Sequence, residues 1–155
     1  MVISKEEWFD NWEGNRRLTM RTIEAFPEEE LFGYVPTAPL RAFSEMVKEI
    51  LNIESAYMKG IAMDQWAFSD QFKAVSNKED LLKTCDEVRE ETRKLWASMS
   101  EERLGIVLDD PFFGGPPQSH FERVQYALEN EIHHRGQGFI YLRMLGIEPP
   151  AFYIR

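Results

Sequence analysis

The chain has a single cysteine, Cys85, so an intramolecular disulfide is excluded, and no Cys-x-x-Cys pair is present to serve as a redox or zinc motif. A lone cysteine among apolar neighbours reads as a small buried hydrophobe. No apolar run approaches the roughly 20 residues of a membrane span. The opening "MVISKEEWFDNW" turns polar within four residues, unlike a secretory signal. Basic residues are outnumbered, 18 against 27 acidic, for a formal net charge of −9. A nucleic-acid partner calls for a clustered basic face, and none is present. Internal repeats and low-complexity segments are also missing. These absences leave a soluble, cytoplasmic protein of a reducing compartment, with neither membrane nor nucleic acid as partner.

A length of 155 residues fits one domain, and 43% hydrophobic with 13% aromatic residues fits a packed globule. Helical periodicity dominates. "SKEE" at 4–7 reads as a capping box that opens a first helix through Trp8, Phe9, Trp12, Ile23 and Phe26, closed by Pro27. "FGYVPTA" at 32–38 reads as a linker. A second helix is expected from Pro39. Its apolar face runs from Phe43 through Met46, Ile50, Ile53 and Tyr57 to Ile61. Residues 63–75 are irregular, with one short turn in "WAFSDQF". "SNKE" at 76–79 reads as a second capping box, before a helix marked by Leu81, Cys85, Val88, Trp96 and Met99. The glycines and prolines of "LDDPFFGGPPQ" predict a long loop without regular elements. "SHFE" at 119–122 caps the last helix, which stops at Gly146 before Pro149 and Pro150. The fold class is therefore all-α, a four-helix bundle with long connections.

Two of the three histidines, His133 and His134, are adjacent in "ENEIHHRGQGFIYLRMLG". Neighbours on a helix diverge by about 100°, so they do not serve one site. Taking Phe121, Val124, Leu128, Ile132, Phe139 and Leu142 as the core direction puts His133 in solvent. His134 then lies on the shoulder of the apolar face, in a stripe with Asn130, Gln137 and Tyr141. Asn130 and His134 have the i, i+4 spacing used by metal-binding helices, although an amide oxygen is a weaker ligand than imidazole. His120, near a helix start, reads as a surface residue. Glu54, Glu131 and Arg135 fall on apolar faces, where charge is costly unless paired, and together predict an internal ionic cluster. Gly136 costs helix propensity unless close packing requires it.

"ENEIHHRGQGFIYLRMLGIEPP" resembles the closing helix of the DinB/YfiT-like family. In that family a His-Glu-x-His-His-Arg-Gly-Gln run precedes a Leu-Gly-x-x-Pro-Pro ending. "LRAFSEMVKEILNIESAYMKGI" at 40–61 is similar to the family's second helix, and "NWEGNRRL" to its first. The resemblance implies a four-helix bundle with an unusual connection, often dimeric, and a divalent metal, zinc or nickel, held by three histidines. Carried onto this chain, the metal positions fall on Glu49, Asn130 and His134, so one imidazole is left of three. Gln137, Tyr141, Glu54, Glu131 and Arg135 would line the pocket or support it. The activity implied is that of a metal-dependent enzyme on a small molecule, a thiol-dependent transferase or a hydrolase, with a low-molecular-weight thiol as co-substrate. The alternative is a metal-free protein on the same fold, either binding a small molecule in a cleft flanked by Trp8, Trp12 and Tyr141 or acting as a homodimeric interaction module.

Overall fold

The computed structural model describes residues 3–155. Four long helices carry the fold: α1 (Lys5–Ala25), α3 (Phe43–Met63), α4 (Lys78–Ser98) and α6 (His120–Met144). Two short ones, α2 (Glu28–Gly33) and α5 (Glu101–Leu104), sit in the connections. Capping boxes form at Ser4 with Glu7 and at Ser119 with Glu122, as the sequence predicts. At the start of α4 the cap is Asn77, whose side chain accepts from the Asp80 backbone N–H, so the expected Ser76–Glu79 box does not form. The second long helix starts at Phe43 rather than near Pro39. Leu40 is instead turned back by a backbone bond to Thr37. Part of the expected 32–38 linker belongs to α2, whose acidic first turn favours the helix N-terminus. The short turn expected in "WAFSDQF" falls at residues 71–74. The 105–118 loop is pinned at its ends by a two-stranded antiparallel ladder, β1 (Val107–Leu108) with β2 (Gln118–Ser119). The expectation of no regular element there is corrected to that extent.

The packing order around the bundle is α1, α4, α3, α6. Helices α1 and α3 are therefore diagonal, as are α4 and α6. A simple up-and-down bundle would place them side by side. Both diagonal steps need the long connections, 26–42 and 99–119, that the sequence marked.

At the centre of the bundle lie four charges, one from each long helix. Arg16 of α1 pairs with Glu54 of α3 at 2.6 Å and with Glu131 of α6 at 2.9 Å. Arg89 of α4 pairs with the same two carboxylates at 3.0 and 3.4 Å. None of the four side chains is more than 4% exposed. Burial alone would push the Glu131 carboxyl up, but Arg16 and Arg89 outweigh it and hold it at about 2. Burial likewise works against the charge of Arg16, yet Glu131 and Glu54 hold its pKa above the ordinary value. The Arg89 guanidinium also lies over the Trp12 ring at 4.4 Å.

This cluster corrects the sequence reading in one respect. Arg135 is buried, but its bonds go to the Asn15 carbonyl at 3.1 Å, Asn15 Oδ1 at 2.9 Å and Thr19 Oγ1 at 3.2 Å. It ties α6 to α1 without joining the carboxylates. The reason is occupancy: Arg16 and Arg89 already saturate both acids. The ionic layer divides the core in two. On one side pack Trp8, Phe9, Trp12, Tyr57, Trp96 and Leu128; on the other Ile23, Phe26, Phe43, Leu51, Cys85 and Leu142.

The core direction of α6 also needs correcting. Val124, Leu128 and Leu142 are buried, but Phe121 and Ile132 are exposed and Phe139 is half-buried. The inward arc includes Arg123, Glu131 and Arg135 in their place. Gly136 meets nothing within 4 Å, so packing within the chain does not require it. The close approach is at Gly138, where an added Cβ would lie 2.5 Å from the Phe43 ring.

Two predictions follow from the ionic layer. Replacing Arg89 by methionine strands a buried carboxylate and should cost about 3–5 kcal/mol in urea unfolding; a variant as stable as the parent would show that the charges do not hold the bundle. Glu131 has a folded pKa below its ordinary 4.5, so its contribution is complete above that value and is lost as pH falls toward about 2. Stability should therefore drop across that window, and Glu131→Gln should flatten the drop; equal pH profiles for the two proteins would refute this.

Candidate functional site

On the outer side of the α3–α6 contact, polar side chains from both helices meet. His134 of α6 is 5% exposed, while His133 faces solvent. The His134 Nε2 atom lies 3.0 Å from Glu49 Oε1 on α3, and its Nδ1 lies 2.6 Å from Gln137 Oε1. Asn130 Nδ2 donates weakly to Glu49 Oε1 at 3.4 Å. The other carboxylate oxygen, Glu49 Oε2, is held by Arg41 at 2.5 Å. Arg41 is placed in turn by its own carbonyl, which accepts from the Tyr141 hydroxyl at 3.0 Å. Burial pushes the Glu49 carboxyl up, but hydrogen bonds from Arg41 and His134 outweigh this and hold it below the ordinary value. Glu49 is therefore ionised at neutral pH.

A neutral imidazole carries one N–H. With Nδ1–H donated to Gln137, Nε2 turns a lone pair toward Glu49 Oε1. Two acceptors then face each other, and a shared cation, either a proton or a metal ion, is what satisfies them. Asn130 turns its Nδ2 toward Glu49, and its Oδ1 is buried without a hydrogen-bond partner. A histidine that donates its second nitrogen to a carbonyl is the usual support of a metal ligand. Turning the Gln137 amide over would reverse the tautomer and leave Nε2–H donating to Glu49, so Gln137 decides which nitrogen is free.

As a set of metal ligands these side chains are few. Among the described residues no group of three or more His, Cys, Asp and Glu side chains could hold a metal. Only Glu49 and His134 are of those types here, and an amide completes the trio. Arg41 further offsets the carboxylate charge that would attract a cation.

The structure brings Glu49, Asn130, His134, Gln137 and Tyr141 together, and it keeps Glu54, Glu131 and Arg135 apart from them in the core. Trp8 and Trp12 do not flank this site. Trp12 is in the core, and Trp8 lines a separate apolar cleft of about 280 Å³ with Trp96, Leu104 and Phe121. Beside Glu49 there opens a cleft of about 460 Å³ whose walls include Phe68, Phe113 and Tyr126. Sequence reasoning missed those aromatic rings because two of them sit on connections without periodicity.

His120, read as a surface residue, is fully buried. Its ring lies tilted against Trp66 at 5.6 Å, and burial, with Arg103 and Arg123 adding to it, pushes its pKa down to about 4. Its neighbourhood fastens the 105–118 loop to the bundle. Asp110 accepts from the Tyr57 hydroxyl at 2.6 Å and from the Phe112 and Phe113 backbone N–H groups at 2.8 and 2.7 Å. That holds Phe113 at the mouth of the cleft. Cys85 is buried and unreactive in character, its thiol pushed up to about 12 chiefly by burial.

A diagonal four-helix bundle with a polar site on the α3–α6 face is the class this architecture defines. The whole chain, residues 1–155, matches the model of the DinB family, and the chain belongs to that family. It is 27% identical over 139 residues to the uncharacterized protein YjoA of Bacillus subtilis (strain 168), covering 90% of this chain and 89% of its relative. The fold is similar to the crystal structure of YjoA, a DinB-like protein from Bacillus subtilis, with a TM-score of 0.72 at 21% identity, covering 93% of this chain and 95% of that one. A DinB-like protein from Bacillus cereus ATCC 10987 superposes with a TM-score of 0.77 at 16% identity, covering 96% and 97%. No helix among the described residues is long and apolar enough to cross a membrane.

Proposed function

We propose that Glu49, Asn130 and His134 form a weak divalent-metal site, the reactive centre of a metal-dependent transferase or hydrolase acting on a small molecule. One observation carries the reading: two side chains of metal-ligating type, Glu49 through Oε1 and His134 through Nε2, face each other at 3.0 Å beside an open cleft, with Asn130 next to them and its Oδ1 unpartnered. A bound zinc or nickel ion would polarise water or favour the thiolate of a low-molecular-weight thiol. The chain's own residues prepare the place. Gln137 holds Nδ1 and so keeps Nε2 available. Arg41 fixes the Glu49 carboxylate through Oε2, so that Oε1 is the oxygen turned toward His134 and Asn130. Phe113 and Tyr126 limit water at the mouth of the cleft. Cys85 takes no part, being buried in the core.

The direct 3.0 Å contact between His134 and Glu49 favours a second reading, in which a proton takes the place of the metal and the cleft only binds its ligand. The two readings separate on titration. Native protein should bind nickel and zinc weakly, releasing protons as it does so. Glu49→His with Asn130→His should raise the affinity at least about tenfold, the equivalent of about 1.4 kcal/mol. Calorimetry showing equal, tight zinc binding by both proteins would overturn the ligand argument. A double variant that binds nothing would overturn the assignment of these positions.

We also propose a homodimer. On α6, Ile132, Ile140 and Met144 are 43, 58 and 59% exposed and share one helical face. Ile140→Glu should convert a dimer into an 18.2 kDa species in light scattering. Native protein that shows only this mass at high concentration would contradict the proposal.

A further inference from the structure

The cleft beside Glu49 has a chemical bias of its own. Its volume of about 460 Å³ falls in the small-molecule range of roughly 300–1,000 Å³. Its three rings, Phe68, Phe113 and Tyr126, are all exposed, with Phe113 5.9 Å from Phe68 and 6.2 Å from Tyr126, both pairs edge to face. Such a wall offers ring faces to a flat apolar body or to a cation.

The charges lining the cleft are not balanced. Arg41 is committed to Glu49, and Lys48 to Glu45 at 2.8 Å with the Lys73 carbonyl at 3.5 Å. Asp70 remains, with no cationic partner among the described residues. Its Oδ1 accepts from Asn52 Nδ2 at 3.3 Å. That bond fixes which way the Asn52 amide is turned. Asn52 is 5% exposed and lines the cleft, and its Oδ1 has no hydrogen-bond partner. An exposed carboxylate without a cationic partner therefore lines the same cleft as three aromatic rings.

We infer that this cleft recognises a primary ammonium group carried on a flat apolar body. The inference rests on reading the cleft as the substrate site, and it adds the class of substrate. An ammonium brings three N–H donors and a positive charge. Asp70 takes the charge and the donors, and the rings take the apolar body. A carboxylate or phosphate would bring only acceptors to a place that already has acceptors in excess.

The test uses the full chain in EDTA, with phenethylamine, 2-phenylethanol and 3-phenylpropionate as probes of similar shape and different charge. Binding is followed by calorimetry and by amide shifts in two-dimensional NMR. Phenethylamine should bind at least about tenfold more tightly than the alcohol, with shifts at Asn52, Asp70 and Phe113, and the carboxylate should not bind. Asp70→Asn, at an exposed position that keeps an oxygen for Asn52, should weaken the amine about tenfold and leave nickel binding unchanged. His134→Ala should lose nickel binding and keep the amine. An alcohol or carboxylate that binds as tightly as the amine overturns the inference, as does an Asp70→Asn protein with unchanged amine affinity or the absence of saturable amine binding. A protein that binds the amine but no nickel sinks the metal reading alone.

Discussion

The structure depends on a buried square of charge. Each long helix contributes one member, and each arginine touches both carboxylates, so the square spans both diagonals of the bundle as well as two of its edges. Buried ion pairs do not by themselves make a fold more stable than a good apolar core, because desolvation consumes most of the attraction. What they do strongly is penalise alternatives. A helix rotated or slid by one residue would leave a charge unpaired in the interior. In this bundle the square fixes the rotation and register of each long helix about the common axis.

That constraint reaches the site through helical phase. Glu131 faces the axis, and on a helix of about 3.6 residues per turn Asn130 and His134 fall to the same side of it. His133 falls to the far side and meets water. On α3, Glu54 is drawn to the axis while Glu49, further toward the N-terminus, sits at the edge shared with α6. The close approach of Phe43 to Gly138 draws the two helices together just beyond the site. The pocket is thus assembled from residues that flank the ionic layer, on helices whose rotation that layer has set. The loop at 105–118 closes the arrangement. Asp110 secures it to Tyr57, and Phe113 reaches the cleft mouth.

The four long helices, most of their ends and the burial of His134 rather than His133 are legible from periodicity and capping residues, while the short α2 and α5 are not. So is the family, because the run from His133 to Gln137 is specific. The partners of the buried acids are less legible. Arg135 is the visible candidate because it lies four residues from Glu131, whereas Arg16 and Arg89 lie far away in sequence. A signal for them is nonetheless present. Arg16 continues the stripe of Trp8 and Trp12, and Arg89 continues that of Cys85, so two inward acids had two inward bases waiting. The burial of His120 is hidden for a related reason: it comes from Trp66 and the 105–118 loop, whose course periodicity does not encode. Phe68 and Phe113 escaped notice because irregular segments give no phase from which to predict a face.

In the proposed metal site His134 Nε2, which faces Glu49 at 3.0 Å, is the nitrogen ligand. Nitrogen-15 NMR of the imidazole, before and after addition of zinc, tests it most directly. The account predicts that Nδ1 keeps its proton throughout, held by Gln137, and that zinc moves the Nε2 resonance to a metal-bound position. A ring that carries its proton on Nε2 and does not respond to millimolar zinc would contradict it.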